Sequence, residues 1–150
     1  MDFRASPSRF NDVKFFISIV GQYINEIKDT IHSIKYGLKE LSRKYNVKND
    51  NITSLVSSID TVIHKSKFGK TDVHLLFPYI NNIKKIKEDL LHFNIEYSRQ
   101  YSRKDNESDI STIYNYIMLK LGYLESALSS IKMTYKYIGR YNSSSKSLSN

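Results

Sequence analysis

Apolar residues recur in the first part of the chain at Phe10, Val13, Ile17, Val20, Ile24, Ile27, Ile31, Ile34, Leu38, Leu41 and Tyr45, in alternating steps of three and four. This spacing keeps one face of an α-helix apolar through about five heptads, the pattern of a coiled-coil seam. Ser6 and Pro7 supply a cap and a first-turn proline, and the pattern dissolves at Asn46. A helix over about 7–46 is therefore predicted, roughly 55 to 60 Å long. Gly21 and Gly37 lie off the seam, where each costs about 1 kcal/mol relative to alanine and leaves room for a bend or a close approach.

The polar KNDN at 48–51 reads as a linker, and Asp50 or Asn51 is placed to cap a shorter helix with Ile52, Leu55, Val56, Ile59, Val62 and Ile63 on one face. That helix is expected to end near Lys67, before Gly69. Pro78 has no amide hydrogen to give to a helix running through it, so a short turn over 72–77 is expected before a long helix from Pro78 to about Arg103. Its face is Ile80, Ile83, Ile86, Leu90, Phe93, Tyr97 and Tyr101. RKDNESD at 103–109 reads as a loop. Ser108 or Asp109 then opens a last helix whose three-four pattern, Ile110, Tyr114, Ile117, Leu121, Leu124, Leu128, Ile131, Tyr135 and Ile138, runs to Gly139.

Four helices with short connections predict an all-α fold, an antiparallel four-helix bundle with long coiled-coil-like helices first, third and fourth and one short helix second. The bundle domain spans 1–141. The Ser-rich residues 142–150 are expected to be a disordered tail. The second helix is too short to cover the first, so the remaining seam must meet the 64–77 connection, other helices or another chain; this is the ground for expecting a homo-oligomer.

Composition narrows the chemistry. The 150 residues contain no cysteine, which excludes disulfides, thiolate metal sites and cysteine nucleophiles. No apolar run approaches the ~20 residues of a membrane span, and no signal-peptide core follows the N-terminal arginines, so a cytoplasmic protein is expected. The net charge of +8 invites a nucleic-acid partner, yet cations exceed anions only slightly in every part of the chain. Lysine outnumbers arginine 17 to 6, and with many Ile, Asn and Tyr this matches AT-rich coding, so part of the charge follows from codon composition.

Several constellations invite a catalytic or metal reading. Asp29 with His32 and Asp89 with His92 are both D-x-x-H pairs, like half of a di-iron site in a helical bundle, but all four fall off the apolar seams and so face outward. His64 lies in IHKSKFGK, faintly like a phosphotransfer helix, though a solvated histidine at a helix C-terminus accounts for it equally. No Gly-rich phosphate loop, HExxH or nucleophile elbow occurs. The expectation is no enzyme, no catalytic residue, no cofactor, no metal and no small-molecule substrate.

Two surfaces stand out. The fourth helix carries a second stripe, Tyr116, Leu119, Tyr123, Ala127, Met133, Tyr137 and Tyr141, which either sinks this helix between neighbours or displays a docking face. One pole of the bundle should gather aromatics, Phe10, Phe15, Phe16, Phe77, Tyr79, Tyr137 and Tyr141. The other should gather Arg43, Lys44, Lys48, Arg99, Arg103 and Lys104 with Tyr45, Tyr97 and Tyr101, a mixture that can hold phosphates and stack bases. The expected function is a non-enzymatic helical protein–protein interaction module, an oligomerising adaptor, inhibitor or assembly factor. Its interface would be Tyr116, Leu119, Tyr123, Met133, Tyr137 and Tyr141. The alternative is an RNA- or DNA-backbone binder using the basic pole.

Overall fold

The computed structural model describes the backbone of residues 9–65, 71–101 and 105–149, and the side chains of 14, 15, 18–65, 73–92 and 110–137. These residues form four α-helices, α1 (Arg9–Tyr45), α2 (Asp50–Lys65), α3 (Tyr79–Tyr101) and α4 (Asp105–Ser149), with a 3-10 turn at Thr71–Leu76 before α3. No strand occurs among them. None of the described helices is long and apolar enough to cross a membrane.

The seams bury as their spacing demands. Val20, Ile24, Ile27, Ile31, Ile34 and Leu41 of α1 join Ile52, Leu55, Val56, Ile59 and Ile63 of α2, Ile80, Ile83 and Leu90 of α3, and Ile117, Leu121, Leu124, Leu128 and Ile131 of α4 in one core. Leu38, Tyr45, Val62, Ile86 and Ile110 pack against its margin. Each fully buried Ile or Leu contributes about 1.5–3 kcal/mol, so this core is the main stabilising term. The seam positions Phe10, Val13, Ile17, Phe93, Tyr97, Tyr101 and Ile138 lie outside the described side chains.

α1 packs most extensively on α4, which in turn packs on α3; α2 bridges α1 and α3. The pairings have a definite direction. Gly37 meets Ile117, whereas Tyr23, Glu26 and Thr30 share a cleft with Tyr123, Ser126 and Ala127. On the other side, Lys87 donates to Glu125 at 3.0 Å, and the rings of Phe77 and Tyr135 meet edge to face at 5.5 Å. Lys35 of α1 reaches Asp60 of α2 at 2.9 Å.

The connections differ in detail from expectation. The cap of α2 is Asn49, not Asp50 or Asn51: its Oδ1 accepts from the Ile52 amide at 3.1 Å, and its carbonyl accepts from the Thr53 amide and hydroxyl. α1 is terminated just after Tyr45 by Asn46, whose φ of 56° is left-handed and whose amide returns to the Ser42 carbonyl at 3.0 Å. Asparagine tolerates that conformation because its short polar side chain bonds locally, so it replaces the usual glycine. α4 begins at Asp105, ahead of Ser108, and its backbone runs past Gly139 to Ser149, since one glycine without a following proline costs only about 1 kcal/mol. The side chains of 142–150, where a tail is expected, lie outside the described ones.

The length mismatch of α1 and α2 is also resolved within the chain. From Val20 to Leu41 the seam of α1 is covered chiefly by α4, with α2 over part of it. No second copy is required to bury that stretch.

Candidate interaction surface

α4 is two-faced. Ile117, Leu121, Leu124, Leu128 and Ile131 are sealed in the core, while Tyr116, Leu119, Tyr123, Met133 and Tyr137 remain 38, 52, 52, 72 and 68% exposed. Leu119 and Tyr137 are eighteen residues apart, which is about five turns, so they stand on one line along the helix. Met133 sits about 40° from that line. The sixth expected interface residue, Tyr141, is outside the described side chains.

The stripe does not include Ala127, which the periodicity placed on it. That residue is buried at the α1 boundary, because the Tyr23 and Thr30 side of α1 comes over it. The boundary opens into a cleft of about 340 Å³ lined by Tyr23, Glu26, Asp29 and Thr30 from α1 and Tyr123, Ser126 and Ala127 from α4. Next to it the Lys120 ammonium lies 5.4 Å from the ring centroids of both Tyr116 and Tyr123. A cation at that distance is attracted by the ring faces.

The α1 end of the basic pole is less available than its sequence suggests. Both guanidinium–carboxylate contacts of Arg43 go to Glu40, at 3.2 and 3.0 Å from one nitrogen, and the Lys44 ammonium is 3.4 Å from the same carboxylate. The hydrogen bond from Arg43 is the largest influence holding the Glu40 carboxyl below its ordinary range; partial desolvation opposes it, and Lys44 adds to it. Glu40 was missed as part of this pole, although its spacing of three and four from Arg43 and Lys44 is the signal for such pairing. Lys48 is exposed and lines a cleft of about 510 Å³ with Val47, Asn49, Asn51, Ile86, Asp89, Leu90 and Tyr114, so a carboxylate stands there too. Arg99, Arg103 and Lys104 lie outside the described side chains.

The D-x-x-H pairs face solvent: Asp29, His32, Asp89 and His92 are all exposed. Among the described residues no group of three metal-ligating side chains converges. His64 is exposed at the end of α2, with Nδ1 2.8 Å from the Asp60 carbonyl and 3.2 Å from its carboxylate. Of the expected aromatic pole, Phe77 is joined by Tyr135, while Phe15 is exposed and Phe10 and Phe16 lie outside the described side chains.

Compared with protein-family models, with curated proteins and with solved structures, the chain matches none.

Proposed function

We propose that this chain is a non-enzymatic helical interaction module, an antiparallel bundle of long coiled-coil-like helices that binds another protein through the outer face of α4. The carrying observation is the exposure of Leu119, Tyr123, Met133 and Tyr137 on the helix whose opposite face is fully buried. A lone exposed leucine needs no explanation, but here large apolar and tyrosine side chains share one face over five turns in two clusters, Leu119 with Tyr123 and Met133 with Tyr137, joined by the small Ser126 and Ser130, a pattern that suits an interface. The antiparallel arrangement is supported by the opposed order of the α1–α4 and α3–α4 pairings. The non-enzymatic reading rests on the sequence, which has no nucleophile motif and no cysteine.

A photo-crosslinking residue placed at Leu119 or Met133, with Glu88 on α3 as the control position, tests the proposal in native extract. A discrete adduct of defined mass formed from both α4 positions and not from the control is expected. Equal labelling from all three positions, together with monomeric sedimentation to high concentration, would overturn it.

A further inference from the structure

The α4 strip has one edge of distinct chemistry. Along its α1 side lie the carboxylates of Glu26 and Asp29, both exposed and both on the cleft with Tyr23 and Tyr123. Three of the described carboxylates hold cations, Glu40 with Arg43 and Lys44, Asp60 with Lys35, and Glu125 with Lys87, whereas Asp50, Glu88 and Asp89 stand exposed without an ion pair but away from the α4 strip. Glu26 and Asp29 make no ion pair among the described residues. Lys120, on the same edge, is drawn over the Tyr116 and Tyr123 rings instead. A chain of net charge +8 therefore presents, along one side of its apolar strip, two carboxylates outside any ion pair.

We infer that the occupant of this surface is an amphipathic helical segment of a partner protein whose apolar face is bordered by lysine or arginine, the cations entering the Glu26–Asp29 cleft. The inference rests on the reading of α4 as a docking face and adds the chemistry of what docks. Leu119 to Tyr137 spans about 27 Å of helix, the length of a partner segment of about eighteen residues laid along it. The cleft gives an alkylammonium or guanidinium group two carboxylates to pair with and tyrosine rings to lie against. One arrangement of a second copy fits poorly: antiparallel, two-fold pairing of α4 faces would put the acidic edge of each copy on the same side, like charge toward like.

Net charge and local charge make opposite forecasts, which makes the test sharp. At about 150 mM salt the screening length is about 8 Å, so the cleft rather than the whole-molecule field should govern the choice. Two synthetic eighteen-residue amphipathic helices serve as probes, identical in their Leu/Ile face but edged with lysine in one and glutamate in the other. Fluorescence anisotropy should show the lysine-edged peptide binding about tenfold tighter, each exposed pair being worth up to about fivefold. Glu26→Lys with Asp29→Lys should reverse that preference, with circular dichroism confirming an intact fold. Leu119→Asp with Met133→Asp should weaken both peptides.

Equal binding of the two peptides, a preference for the acidic one, or a preference unmoved by the charge reversal would overturn the inference and leave the α4 face standing. Binding that survives Leu119→Asp with Met133→Asp would overturn both. So would absence of binding by either peptide. A wild-type dimer that this α4 double variant splits into monomers would make a second copy the occupant and overturn the basic partner alone.

Discussion

Gly37 of α1 and Ile117 of α4 approach so closely that a Cβ on the glycine would lie 2.8 Å from Ile117 Cγ1 and 3.2 Å from Cδ1. Ile117 is fully buried and held on all sides, so it has little freedom to withdraw. Gly37→Ala should therefore destabilise the chain by about 1–2 kcal/mol, overpacking outweighing the gain of up to about 1 kcal/mol in helix propensity. Gly21 supplies the control. A Cβ there would meet nothing within 4 Å, so Gly21→Ala should stabilise by about 0.5–1 kcal/mol. Urea melts of the two variants should move in opposite directions; the same direction for both would mean that the α1–α4 contact is not tight at Gly37.

Leu124 and Tyr123 are neighbours in sequence with opposite surroundings, one fully buried and the other half exposed at the cleft. Leu124→Ala should cost about 2–5 kcal/mol by opening a cavity. Tyr123→Ala should cost little stability but weaken association through α4 if its ring is an interface anchor. Thermal melts beside sedimentation or peptide binding separate the two effects. Equal unfolding by both substitutions would make α4 a buried central helix and remove the support for a docking face.

The α1–α2 connection makes a prediction about two asparagines. Asn49→Ala removes the acceptor for the Ile52 amide and should cost about 0.5–2 kcal/mol, while Asp50→Ala, which is not the cap, should cost less. Asn46→Gly should be tolerated because φ is positive there, whereas Asn46→Val forces a branched side chain into the left-handed region and should be destabilising by about 1 kcal/mol or more. Melting temperatures of the four variants decide this. A greater loss from Asp50→Ala than from Asn49→Ala would reassign the cap.

The contrast between seams and joints explains what could be read from the residues alone. Helical periodicity reports which side of a helix avoids water, so Ile24, Ile27, Ile31 and Ile34, or Ile117, Leu121, Leu124 and Leu128, were legible as core before any neighbour was known. Periodicity does not say which helix lies over a given residue. Ala127 is buried by the flank of α1, Gly37 admits Ile117, and α4 covers the seam that α2 is too short to reach; each depends on how two helices meet. Caps were ambiguous for a different reason. Asn49, Asp50 and Asn51 all have capping side chains, and the backbone entry into α2 selected among them. The exposed α4 stripe was visible as a pattern, but its acidic border was not, because Glu26 and Asp29 come to it from a helix distant in sequence.

Glu40 allows a prediction that joins stability to the basic pole. Its carboxyl is held below the ordinary value of 4.5, first by the Arg43 hydrogen bond. A group whose folded pKa is lowered stabilises the fold at pH above its unfolded value, and that contribution is lost as pH falls through the folded value. Wild type should therefore melt above Glu40→Gln at pH 7, and the gap should close as the pH is lowered below 4.5 and through the carboxyl's lowered range. Added salt should narrow the gap at pH 7, because the cations are exposed. A gap that persists unchanged into acid would mean that Glu40 acts through packing rather than charge. The same variant probes the expected affinity for nucleic acid. With Glu40 neutral, Arg43 and Lys44 lose their internal counter-ion, so any binding of an oligonucleotide backbone at this pole should strengthen. Its salt dependence should steepen by roughly one log-log unit for each additional phosphate that the freed cations neutralise. If Glu40→Gln binds an oligonucleotide no better than wild type at low salt, the α1 end of the basic pole is a helix terminus neutralised by its own glutamate, and the nucleic-acid reading loses Arg43 and Lys44.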